Sequence, residues 1–173
     1  MVSRIVNLTL RVWEFIWTIL VMALIGNIIA QAFAGNPASV NYIMFVSAFS
    51  MVSLFYLFPA SWSETLRGHP IIMFIVDMLN AIFFLVGGIV LAARLEAHSC
   101  SNDHYTLTNN ITNGTHKHRE KRCREAQATT AFLWFAWACY TASMILSFID
   151  VWSGGPNLRP RTSARRRPAM SQV

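Results

Sequence analysis

Four long apolar runs divide the chain, and its polar residues fall in the gaps between the runs or at a few positions inside them. The runs cover residues 12–33, 40–60, 70–93 and 126–152. Each is close to the roughly 20 residues that a helix needs to cross hydrocarbon at about 1.5 Å per residue. The third, PIIMFIVDMLNAIFFLVGGIVLAA, carries the most information. Asp77 lies inside it, and Asn80 follows one turn later on the same face, which continues through Phe84, Gly87, Gly88 and Leu91. A face that is polar at one end and small at the other suits contact with helices better than contact with lipid. Glycine lets backbones approach, and buried polar groups need partners. The other three runs are expected to enclose this helix.

Depth along each predicted helix follows from the rise per residue, and places Asp77 about 9–10 Å in from its start. Thr18, Ser53 and Ser147 fall at that level, with Ser50 and Ser143 one turn deeper beside Asn80. No lysine or arginine lies within an apolar run, so hydroxyls rather than an ion pair are the expected partners of Asp77. Such a polar layer has two readings. One is interhelical hydrogen bonding worth about 0.6–2 kcal/mol per bond; the other is a proton- or lipid-responsive switch. The first is favoured. Gly88 with Ala92, and Ala138 with Ala142, form small-xxx-small pairs, read either as packing within the bundle or as self-association into a homo-oligomer.

The gaps give the organisation. Gly35 to Ser39 is a short uncharged turn, residues 61–69 are a polar link with Trp62 and Arg67, and residues 94–125 are one substantial hydrophilic loop. Residues 1–152 therefore read as one four-span domain, and 153–173, rich in Pro, Gly, Ser and Arg, as a disordered tail. Ala32-Phe33-Ala34 resembles a signal-peptide cleavage site, but the run before it is long for one and Glu14 interrupts its start, so a first span is the preferred reading.

Composition agrees. The 173 residues are 54% hydrophobic and 13% charged, with a mean hydropathy of +0.42. A soluble domain carries about 25% charged residues, so a soluble core is excluded. The net charge of +6 is gathered around 117–124 and 159–167, which points to topology and lipid headgroups rather than nucleic acid.

Four spans put both termini on one side, and a modest positive-inside bias makes that side cytoplasmic. Trp13, Trp62 and Trp152 then share the inner interface. The long loop, placed outside, holds Cys100 and Cys123 and the sequons at Asn110 and Asn113; disulfides and N-glycans both belong there. Cys100 and Cys123 are expected to pair. A metal site using His98, His104, His116 and His118 is the weaker alternative, since no ligand spacing supports it. The sequon at Asn7 falls on the cytoplasmic side and is expected to be unused. In the tail, Arg159, Arg161, Arg165, Arg166 and Arg167 suit anionic inner-leaflet lipid, and Ser163 has basophilic-kinase spacing, so its phosphorylation would weaken that contact. No nucleophile–base pair, P-loop or metal-ligand motif is present in the sequence. An enzyme is not expected, nor are catalytic residues, a cofactor or a metal.

Taken together, the spans and the cysteine-flanked loop resemble a MARVEL-type tetraspan. More narrowly, the chain resembles the fungal non-classical export proteins. The matching pieces are Val40-Asn41-Tyr42 with Met44-Phe45, Asp77 with Leu79-Asn80, Ala97-His98-Ser99-Cys100, Cys123-Arg124 with Ala126-Gln127-Ala128 and Ala131-Phe132-Leu133, and the terminal Ser171-Gln172-Val173. The basic stretch from His116 to Arg122 departs from that pattern. The resemblance implies an all-α, MARVEL-like four-helix membrane bundle in plasma-membrane microdomains rich in sterol and sphingolipid. It further implies association with eisosomes and their BAR-domain proteins, and roles in domain organisation, sphingolipid sensing and unconventional secretion. The alternative from a different class is a small transporter or proton-coupled channel using Asp77; a third reading is a subunit of a larger assembly.

Overall fold

A helix that must cross hydrocarbon satisfies its backbone internally, so apolar runs of this length become helices. The computed structural model describes residues 4–33, 35–63, 70–96, 98–115 and 118–153. Within them the elements are α1 (Arg4–Ala30), α2 (Ala38–Trp62), α3 (Pro70–Leu95), a short α4 (Asp103–Thr108) and α5 (Arg119–Ser153). All but α4 are long and apolar enough to span a membrane.

Two boundaries differ from the sequence reading in ways that matter. α1 begins at Arg4 rather than near residue 12 and ends at Ala30, so Arg11 and Glu14 are helical. α5 begins at Arg119 rather than near 126, which places Arg122, Cys123 and Glu125 on a helix; at roughly 50 Å it is longer than a bilayer core requires. The segment read as an unstructured loop contains α4, capped by Asn102, whose side chain accepts from the N–H groups of His104 and Tyr105.

The helices form a ring. α1 packs on α2 and α5, and α3 also packs on α2 and α5, so α1 faces α3, and α2 faces α5, only across the centre. On α3 the buried side is Met73, Asp77, Asn80, Phe84, Gly87, Gly88 and Leu91, the face singled out from the sequence. α2 turns Ile43, Ser47, Ser50, Leu54 and Leu57 inward, and Val52 (70% exposed) and Phe55 (75% exposed) outward. Outward apolar side chains on every long helix are what a lipid-facing surface requires. The ring has two distinct ends. The start of α1 and the end of α5 mark the terminal end; Cys100–Cys123 marks the disulfide end.

Candidate functional site: a polar core at the terminal end

At the terminal end Arg11, Glu14 and Asp77 meet with essentially no solvent exposure. Arg11 Nη1 donates to Asp77 Oδ1 at 2.6 Å and Nη2 to Asp77 Oδ2 at 2.7 Å, a two-point contact across the α1–α3 diagonal. Nη1 also donates to Glu14 Oε2 at 2.8 Å, three residues along α1. From α5, Ser143 donates to Glu14 Oε1 at 2.5 Å and Ser147 to Asp77 Oδ2 at 3.0 Å. One guanidinium thus serves two carboxylates and two hydroxyls join them, while Arg11 Nε is left without a hydrogen-bond partner. Buried charge is tolerated only when paired and hydrogen-bonded in this way.

This corrects the expectation that no intramembrane salt bridge is available. The error arose from starting the first helix too late, which left Arg11 outside it. Among the expected hydroxyl partners of Asp77, Ser147 bonds to it, whereas Thr18 and Ser53 do not. Thr18 Oγ1 lies 3.0 Å from Ser50 Oγ, which lies 2.6 Å from the Tyr140 hydroxyl, bridging the second diagonal one turn deeper. Ser53 instead accepts from Asn80 Nδ2 at 2.9 Å. Asn80 therefore pairs with neither Ser50 nor Ser143, as the depth count had suggested, and Ser143 belongs to Glu14. Arg11, Glu14 and Tyr140 were not identified from the sequence. Arg11 and Glu14 stand three apart, as ion-paired residues on one helical face do, and that spacing was the available signal.

The disulfide end is held differently. Cys100 and Cys123 are bonded, with Cα atoms 5.6 Å apart. Arg122 is fully buried and donates through Nε to Ile111 O and through Nη1 to Ile28 O, both at 2.5 Å, so it ties the loop and the end of α1 to α5. Gly114 lies against this guanidinium; a Cβ there would come within 2.8 Å of Arg122 Nη2. Asn27 on α1 donates to Glu125 Oε1 at 2.6 Å, and the Tyr105 hydroxyl donates to Leu95 O. Burial, and secondly Glu96, push the Tyr105 phenol above its usual range, so it remains a donor at neutral pH.

Comparison with known proteins fits this architecture. The model of the MARVEL family, a membrane-associating domain, matches residues 4–146. Non-classical export protein 2 of Saccharomyces cerevisiae is 35% identical over 95% of both chains. The chain belongs to the MARVEL family, among the non-classical export proteins. Non-classical export protein 102 of Candida albicans is 33% identical over 96% of this chain and 97% of its own, and a Schizosaccharomyces pombe homolog of non-classical export protein 2 is 28% identical over 94% and 92%. No solved structure matches the chain.

The remaining sites fall around this MARVEL bundle as follows. Asn110 and Asn113 are exposed beside the disulfide-bonded loop, with Thr112 and Thr115 of their sequons buried. His98 and Glu96 form an exposed pair, Nε2 to Oε2 3.1 Å, and His104 and His118 are also exposed. Gly88 packs against the Trp134 ring within the bundle, whereas Ala92 and Ala138 face outward, so the small-xxx-small pairs are split between the two surfaces. Arg67, His116, Lys117, Arg159, Arg161, Ser163, Arg165, Arg166 and Arg167 lie outside the described residues.

Proposed function

We propose that the chain is a non-enzymatic organiser of plasma-membrane microdomains of the eisosome type, sphingolipid-responsive and linked to unconventional protein secretion. The single observation that carries the organiser reading is the filled centre of the bundle. Arg11–Asp77 and Ser50–Tyr140 bridge both diagonals in the terminal half. Beyond them Phe84, Leu91, Leu133 and Ile43 are fully buried, so the centre is packed rather than open. Such a bundle acts through its outer faces, on sterol, sphingolipid and BAR-domain partners. The names of its relatives support the link to export. Both termini lie in the cytoplasm, the arginine tail binds anionic lipid there, and Asn110 and Asn113 carry glycans outside. The test is fluorescence localisation of a tagged copy with sterol and sphingolipid depletion. Patches that disperse on depletion are expected; a diffuse, depletion-insensitive signal would overturn the reading.

A second reading has its own observation. Two acids and one base inside the span are the materials of a proton-coupled transporter. Reconstitution into liposomes with a pH-sensitive dye separates the two: a flux abolished by Asp77→Asn would replace the organiser reading.

A further inference from the structure

A cavity of about 420 Å³ opens at the disulfide end between the first turn of α2, the last turn of α3 and the loop that carries α4. The loop wall is fixed by its own bonds. Asn109 donates through Nδ2 to Arg94 O at 2.7 Å and accepts from Ile111 N–H at 2.9 Å, while Thr108 donates to His104 O at 3.0 Å. Tyr105 is committed to Leu95 O, and the carboxylate of Glu96 to His98. Three lining groups are left over: the Arg94 guanidinium, the Ser39 hydroxyl and the Asn110 amide have no partner among the described residues. The cavity wall is therefore held in place, and Arg94 is a lining cation that no carboxylate among the described residues pairs with.

Its position selects the source of the anion. The α2 span starts, and the α3 span ends, at this level, so the cavity sits where hydrocarbon meets water. Ala93 lines it, and Ile89 and Val86 continue the same strip of α3 toward the membrane centre, both exposed. We infer that this cavity receives the phosphate of a membrane-lipid headgroup, with Arg94 as counter-ion and the Ala93–Ile89–Val86 strip beneath the acyl chains. Arginine suits a phosphate by its planar fork of donors. Asn110 lines the cavity and is exposed, so a glycan there would cover it.

The experiment is calorimetric titration of the purified full-length chain in detergent, with Asn110→Gln in every sample so that no glycan covers the cavity. The probes are short-chain phosphatidic acid, the matching neutral diacylglycerol and inorganic phosphate. Phosphatidic acid is expected to bind, and Arg94→Gln to weaken it about tenfold, the worth of one charge-assisted hydrogen bond. Arg124→Gln, which removes an equal charge from the exposed face of α5, should leave binding unchanged. Equal losses in both variants, or none in Arg94→Gln, would overturn the site. Inorganic phosphate binding as tightly as the lipid would overturn the lipid source. An unchanged unfolding temperature, with the Cys100–Cys123 bond retained, excludes misfolding as the cause in each variant. The titration is independent of microdomain placement, so this site and the organiser role fail separately.

Discussion

Arg11 on α1 and Asp77 on α3 hold one another through two parallel hydrogen bonds although their helices touch only the flanking pair, α2 and α5. The reach of an arginine stem makes this possible, and its fork makes it directional. The contact links α1 to the diagonally opposite helix, which the packing of adjacent helices does not do.

Removing the base should cost more than removing one acid. Arg11→Met leaves Glu14 and Asp77 buried and unpaired, for a loss of about 3–5 kcal/mol. Asp77→Asn leaves Arg11 matched to Glu14, and about 1–3 kcal/mol is expected. Thermal unfolding of the detergent-solubilised variants reads the order; equal losses would show that Glu14 takes no part.

Ser50 is the hinge of the second bridge, between Thr18 and Tyr140. Ser50→Ala takes from Thr18 and Tyr140 the hydroxyl they share and leaves them one another, and a loss of about 0.6–2 kcal/mol per bond is expected. Tyr140→Phe should then cost less in the Ser50→Ala background than on its own, a non-additivity that a double-mutant cycle measures.

At the other end, Arg122→Met should unfasten the loop without melting the bundle. The carbonyls of Ile28 and Ile111 lose their donor, at about 1–3 kcal/mol for each unsatisfied group. Amide hydrogen exchange is expected to speed up across residues 103–115 while helix content by circular dichroism is retained.

Gly114→Ala tests the same contact sterically. A methyl group at 2.8 Å from Arg122 Nη2 forces a shift, and Arg122 is already tethered by two carbonyls. A destabilisation of about 1–3 kcal/mol is expected. The Asn113-Gly114-Thr115 sequon stays intact, so the loss does not come from a change in the sequon.

Reduction should act on this end alone. The Cys100–Cys123 bond closes a loop of sequence separation 23, for which the chain-entropy model gives about 3 kcal/mol. Cys100→Ser with Cys123→Ser is expected to lower the unfolding temperature without disturbing the Arg11 cluster, as judged by an unchanged response to Asp77→Asn.

How much of this was legible depends on range along the chain. Four spans, the short first turn and the buried face of α3 from Asp77 to Leu91 all follow from apolar length and helical period, which are local properties. Depth was readable to within one turn, because rise per residue is constant: Asp77 and Ser147 meet as placed, whereas Thr18, put level with Asp77, meets Ser50 from the turn below. Partner choice was not. Ser53 bonds to Asn80 and Ser143 to Glu14 because each helix is rotated about its own axis to bury one face, and that rotation is settled jointly by all neighbours. Arg11 and Arg122 escaped for a related reason. In sequence each reads as a flanking charge, cheapest when left in water. Only the assembled bundle supplies two carboxylates to one and two backbone carbonyls to the other, and so makes burial of a guanidinium the lower free energy.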